Sequence, residues 1–248
     1  MPDFNLGIEF DGLYWHSNIK LEPNYHFNKT EECEKQGIQL LHIFEDEWLY
    51  KKEIVKSIIK SKLNMFDNTI LTNGCTIKEI DNITCSNFLD NNHIQCAIES
   101  KIRIGLFYND ELVSVMMFTK TDNKVNTNEY ELLRFCNKLN TQVISSVDKL
   151  LYYFMEIYRP ESIITYVDRR YSQGSLYKEL GFKFIENTEP NYWYFDKNEK
   201  VCHHHFKFNN NVSVKQDFDD NKTEEQNMQE SGYLKIYDSG NSKFMLIN

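Results

Sequence analysis

Residues 7–48 tightly constrain how this chain begins to fold. Gly7-Ile8-Glu9-Phe10-Asp11 alternates apolar and acidic residues, the period of a strand with two different faces. Gly12 ends that run, and glycine takes the backbone angles of a sharp turn cheaply. Glu31 to Gln36 reads as a charged helical run with Gly37 placed as its C-cap. A second apolar strand, Ile38-Gln39-Leu40-Leu41-His42-Ile43-Phe44, ends in Glu45-Asp46-Glu47-Trp48, and acidic residues are poor strand formers. Two strands joined by a helix are expected to be sheet neighbours, and each delivers carboxylates.

Glu9 and Asp11 fall on one side of their strand, about 6.6–6.8 Å apart along it. Paired carboxylates suit a divalent metal that wants hard oxygen ligands. His16, just past the turn, is placed to act as a general base or to orient a water. The same residues also fit a plainer reading, because Asp-Gly after a strand is an ordinary hairpin signal and Tyr14-Trp15 is ordinary core material.

The pattern IEFDGLYWHS, followed by YHFNKTEECEKQGIQLLHIFEDEW, resembles the catalytic domain of phage homing endonucleases of the EDxHD type. These are similar to the very-short-patch-repair endonucleases of the PD-(D/E)xK superfamily. The resemblance covers about residues 3–64. It implies Mg²⁺-dependent cleavage of double-stranded DNA in a restriction-endonuclease-like mixed-sheet domain. Glu9, Asp11, His16, His26 and Glu45 fall on the catalytic motif positions, with Glu9, Asp11 and Glu45 as metal ligands. Asp46 and Lys29 are adjacent polar positions. In that family a preceding strand carries a further metal-binding aspartate. Here Met1-Pro2-Asp3-Phe4-Asn5 stands where that hairpin turns, so the module reads as N-terminally shortened and is expected to cut DNA poorly.

The bulk properties bound these readings. The 248 residues allow one large or two small domains, and 41% hydrophobic residues suffice for real cores. A net charge of −9 runs against duplex binding, although Lys51, Lys52, Lys56, Lys60 and Lys62 make a local basic helix face. Six cysteines without CxxC spacing point to a reducing cytoplasm, that of the host cell for a phage protein, rather than to a disulfide framework or zinc site. No window has the roughly 18 apolar residues of a membrane span.

Residues 48–64 predict an amphipathic helix through Ile54, Val55, Ile58, Ile59 and Leu63. The polar stretch 65–74 is the expected linker. A second domain over 75–208 opens with a strand at Cys75–Ile80 and a short helix at Ser86–Asn92. A hairpin follows around Asn109-Asp110, then a strand at Glu129–Cys136, a helix at Val147–Tyr158 and a strand at Ser162–Val167. That order is α+β. The ending LYKELGF resembles the last helix-to-strand turn of GNAT-fold acyltransferases, and YVDRRYSQGSLYKELGF is similar to phage Mom-type DNA adenine-modification proteins. This resemblance covers about residues 75–196 and implies a central mixed sheet, with acyl-CoA use in active members. The turn Gln142-Val143-Ile144-Ser145-Ser146-Val147-Asp148-Lys149 has no glycine to let backbone N–H groups grip a pyrophosphate, and Asp148 adds repulsion. Acyl-CoA is therefore not expected to bind.

Asp168, Arg169 and Arg170 either line a site or form an ion-paired loop, and Tyr171 and Tyr177 read as core or rim. In Cys202-His203-His204-His205, only Cys202 with His204, or His203 with His205, share a strand face. Residues 209–231 read as loop or marginal helix, and 232–246 as a terminal hairpin turning at Asp238–Asn241. The overall expectation is α+β or α/β: a nuclease-like domain over 1–64, a linker over 65–74, a GNAT-like domain over 75–208 and an extension over 209–248. The leading function is a homing-type endonuclease. The alternatives are a GNAT-like or Mom-like DNA-modifying acyltransferase and a non-catalytic DNA-binding remnant.

Overall fold

The computed structural model describes residues 1–121, 128–198, 200–204, 219 and 221–248. The chain divides into two compact units that do not follow chain order. The first comprises Met1–Tyr50, Asp168–Gln173 and Asn187–Asn241. The second comprises Lys51–Val167, Gly174–Glu186 and Ser242–Asn248. In chain order the N-terminal elements are β1 (Leu6–Asp11), α1 (Tyr25–Lys35), β2 (Gln39–Phe44), α2 (Glu45–Tyr50), α3 (Lys52–Lys62), β3 (Asn68–Leu71), β4 (Cys75–Glu79) and α4 (Asn82–Asn92). Then come β5 (Ile102–Tyr108), β6 (Glu111–Lys120), β7 (Glu129–Asn137), β8 (Thr141–Ile144), α5 (Ser146–Tyr158), β9 (Ser162–Asp168), α6 (Ser175–Glu179) and β10 (Lys183–Asn187). The last are β11 (Tyr192–Asp196), β12 (Cys202–His204), α7 (Glu224–Glu230), β13 (Tyr233–Tyr237) and β14 (Asn241–Ile247).

The first unit is built around β1 and β2, which pair in parallel with Glu9 opposite His42 and Asp11 opposite Phe44. The intervening α1 ends at Gln36, its C-cap, and Gly37 just beyond takes the left-handed φ of 72° that this position favours. Gly12, by contrast, is not among the positive-φ glycines, so the turn after β1 does not depend on glycine geometry. The restriction-endonuclease-like mixed sheet expected over 1–64 is not formed: β1 and β2 make a two-stranded sheet of their own. A separate antiparallel sheet of order β12-β11-β13 supplies the apolar partners, and Leu13, Phe44, Phe195, Leu234 and Ile236 form one buried cluster.

The second unit is a mixed α+β sheet of order β10-β14-β9-β7-β6-β5-β4. Strands β4 to β7 are antiparallel, and β7 pairs with β9 in parallel. The β5–β6 hairpin turns through Asn109 and Asp110, both at positive φ (49° and 61°), the type I′ geometry that suits the twist of a hairpin. Helix α5 buries Val147, Leu150, Leu151 and Phe154, and Phe154 stacks on Phe118 of β6. The left-handed Arg159 closes it just before Pro160. The expected linker instead contains β3, which pairs in parallel with β8. The expected single helix over 48–64 is broken at Lys51 into α2 and α3, and α3 buries Ile54 and Val55.

The terminal hairpin is not formed either. Strand β13 joins β11, whereas β14 enters the seven-stranded sheet between β10 and β9. The chain is redirected at Asp238, whose Oδ1 accepts from the Asn191 and Gly240 amides at 2.7 and 2.8 Å. Part of 209–231 is the helix α7, started by a capping box between Thr223 and Gln226. His205 and residues 209–218 lie outside the described residues. Among the described residues, no helix is long and apolar enough to cross a membrane.

Candidate functional site

Strand alternation puts Glu9 and Asp11 on the same face of β1, and the parallel register adds His42 of β2 to that face. Asp11 is fully buried at the centre of the arrangement. His42 Nδ1 lies 2.9 Å from its Oδ2, and His16 Nδ1 lies 3.3 Å from its Oδ1. His26, projecting from the first turn of α1, brings Nε2 to 3.7 Å from Asp11 Oδ2 and 2.9 Å from His16 Nδ1. On its other side His26 Nδ1 meets the Tyr237 carbonyl at 2.6 Å. A carbonyl oxygen only accepts, so Nδ1 carries the proton and Nε2 presents a lone pair to the cluster. Burial, with His42 and His16 alongside, pushes the His26 pKa down to about 3. Burial also raises the Asp11 carboxyl above its usual range, with His42 opposing the shift.

Of the sequence-predicted residues, Asp11, His16 and His26 converge. Glu9 sits beside them, with Oε1 held by Lys29 at 2.5 Å and Oε2 at 3.5 Å from His42 Nδ1. Glu45 does not join. Its Oε2 accepts from the Leu13 amide at 3.1 Å and its Oε1 pairs with Lys200 at 2.5 Å, so it fastens the turn after β1. The proposed ligand set Glu9, Asp11 and Glu45 is thus replaced by two donor groups whose atoms lie within 4.8 Å of one another: Asp11 with His16 and His26, and Glu9 with Asp11 and His42. His42 was missed. The signal was there, because a histidine inside an apolar strand that pairs in register with Glu9 must face the same way.

Asp168, Arg169 and Arg170 form the ion-paired loop rather than a site. Arg170 donates to Asp168 at 2.9 Å and Glu47 at 3.0 Å, and its guanidinium lies 4.3 Å from the Phe44 ring centroid. Arg169 reaches Glu31 at 2.7 Å and Glu34 at 2.6 Å on α1. Tyr171 hydrogen-bonds Glu47, whose pKa burial raises.

A second feature lies within the seven-stranded sheet. The parallel register of β7 and β9 runs only from Glu129↔Ser162 to Leu132↔Thr165, although β7 continues to Asn137 and β9 to Asp168. Thr165 Oγ1 donates to the Leu132 carbonyl at 3.0 Å and closes the paired part. Beyond it the strands part. Downstream of β7, Ser145 adopts a left-handed conformation (φ 60°, ψ 23°) at the N-cap of α5 and makes no side-chain cap hydrogen bond.

No family model matches the chain, and no curated protein matches it. Among solved structures it is similar to a Bacillus subtilis acetyltransferase in complex with CoA, at 15% identity over 70% of this chain and 97% of that one, with a TM-score of 0.40. It is also similar to Ard1 from Thermoplasma volcanium, at 12% identity, 70% and 97% coverage and TM-score 0.40. A third is a GNAT family acetyltransferase from Elizabethkingia anophelis with acetyl-CoA bound, at 10% identity, 71% and 99% coverage and TM-score 0.39.

Two expectations are corrected here. The nuclease, DNA-hydrolysing reading with Mg²⁺ gives way: the nuclease-like mixed sheet is not formed, and the converging donors are mostly imidazole nitrogens, which suit Mg²⁺ poorly. The expectation that acyl-CoA does not bind is corrected as well, on the geometry of the turn that was to exclude it. Its premise fails, because Ser145 reaches the left-handed conformation without being glycine.

Proposed function

We propose that the second unit binds an acyl-CoA thioester and that the protein is an acyltransferase of the GNAT type. The parting of β7 from β9 after Leu132 and Thr165 carries this reading. A pantetheine arm bears two amides and can lie along a parted strand edge as an added strand does, exchanging main-chain hydrogen bonds. The α5 N-terminus supports the same placement. Its first-turn amides are not consumed by a side-chain cap, and such amides with the helix dipole favour a diphosphate. Tyr177 of α6 contacts Thr165, the last paired residue of β9, and burial raises its pKa so that the phenol stays protonated. In this reading it donates the proton to the departing CoA thiolate.

Calorimetric titration with acetyl-CoA tests the proposal. Saturable binding is expected, tightened several-fold by Asp148→Asn, which removes a carboxylate from the first turn of α5. Tyr177→Phe should keep binding and slow transfer. Absence of binding at millimolar acetyl-CoA overturns the reading.

A further inference from the structure

We infer that Asp11, His16 and His26 form a binding site for a divalent transition-metal ion, of which Zn²⁺ is the best fit, with His42 and Tyr237 orienting the ligands. The donor spacing comes first. A tetrahedral ion bound at about 2.0–2.2 Å by nitrogen and oxygen holds neighbouring ligands roughly 3.3–3.6 Å apart. The pair His16 Nδ1–Asp11 Oδ1 at 3.3 Å falls in that range and His26 Nε2–Asp11 Oδ2 at 3.7 Å lies just outside it, while His16 Nδ1–His26 Nε2, at 2.9 Å a hydrogen bond without an ion, opens by a few tenths of an ångström to admit one.

An unmet carboxylate oxygen is the second observation. Among the described residues, Asp11 Oδ1 is buried without a hydrogen-bond partner, and so is Oε2 of the neighbouring Glu9. Leaving buried carboxylate oxygens unmatched is expensive, and a cation at the cluster removes that cost. The supporting contacts are the third. A metal-ligating histidine typically donates its other ring N–H to a carbonyl, which fixes tautomer and ring angle. The contact of His26 Nδ1 with the Tyr237 carbonyl does this, leaving Nε2 free to coordinate. His42 plays the matching part for the carboxylate, holding Asp11 Oδ2 at 2.9 Å while its Nε2 meets Thr30 Oγ1 at 3.1 Å.

Two imidazoles and one carboxylate select against Mg²⁺, which demands oxygen donors, and in favour of Zn²⁺ or its neighbours. Three protein ligands leave a coordination position for water, and His16 keeps 15% of its side chain exposed.

The test uses the full chain without a histidine tag, stripped with EDTA and titrated separately with Zn²⁺, Co²⁺ and Mg²⁺. One Zn²⁺ per chain is expected, Mg²⁺ binding much more weakly, and Co²⁺ giving ligand-field absorption in the visible. His26→Ala also loses the Tyr237 contact and risks misfolding, so the decisive variants are the half-buried His16→Ala and the isosteric Asp11→Asn. Each should keep the wild-type circular dichroism, weaken Zn²⁺ by at least about 10-fold and change the Co²⁺ spectrum. His203→Ala should bind as the wild type does. Absence of Zn²⁺ binding, binding indifferent to both decisive variants, or a preference for Mg²⁺ overturns the assignment. Acetyl-CoA titration has no bearing on any of these outcomes.

Discussion

The two units hide different things from water. The second buries a continuous apolar core in which Ile104, Leu106, Val113, Phe118, Leu150 and Phe154 are fully enclosed. The first has a small apolar cluster and, beside it, two almost fully buried arginines facing Glu31, Glu34, Glu47 and Asp168. Apolar burial is non-directional, so its loss scales with the area and cavity left behind. A buried ion network is directional, and removing one member strands the others. In the first unit the network ties the Asp168–Gln173 segment to Met1–Tyr50, whereas the second is mostly one run of chain with its own hairpins.

The sharpest way to break this contrast is Arg170→Ala. It leaves the Glu47 and Asp168 carboxylates without their guanidinium and is expected to destabilise the first unit by about 3–5 kcal/mol. Trp15, Trp48 and Trp193 all belong to that unit, so urea unfolding followed by tryptophan fluorescence reports on it alone. An unmoved fluorescence midpoint would show that the network is not what holds the segments together.

Leu150→Ala tests the other side. A cavity beneath α5 should remove roughly 2–5 kcal/mol from the second unit, seen by far-ultraviolet circular dichroism while the tryptophan midpoint stays in place. If both probes move together in both variants, the units unfold as one block and the comparison fails.

A smaller effect comes from acid. Burial, with Arg134 and Lys51 adding repulsion, pushes the pKa of His93 in the second unit down to about 3. Between that value and about 6.5 the unfolded chain takes up a proton that the folded unit refuses, so stability is full above 6.5 and falls as pH drops. Unfolding free energies from urea titrations at pH 7 and pH 5 should differ by up to about 2 kcal/mol from this source. His93→Gln should remove that share, and an unchanged difference would place the acid sensitivity elsewhere.

What could be read in advance follows the same division. The β5–β6 turn, α5 and the stop at Arg159-Pro160 depend on neighbours in sequence, so propensity and periodicity carry them. The pairing of β1 with β2 was legible for the same reason, and strand alternation put Asp11 on one face with Glu9, whereas His26 entered only through the family resemblance. The rest depended on distant partners. Nothing local says that Glu45 will serve Leu13 and Lys200, that Arg170 will meet Glu47, or that β13 and β14 will part into different sheets. The alternation over 233–246 fits a hairpin equally well, and what rules it out is the pairing of β13 with β11 and of β14 with β10 and β9. His42 was lost to an apolar context that reads as core.

The contact between His26 and the Tyr237 carbonyl joins residues 211 positions apart. On a ribosome adding about 5–20 residues per second, the histidine is made roughly 10–40 s before its acceptor. Until then β1, α1 and β2 can form, but His26 has no acceptor to fix its tautomer, and Arg170 emerges only late in that interval. The cluster therefore matures only once residue 237 has been made, after the chain of the other unit up to Val167 has been synthesised. A nascent chain stalled before residue 237 would carry all three donor side chains and still lack the arrangement that makes them a site.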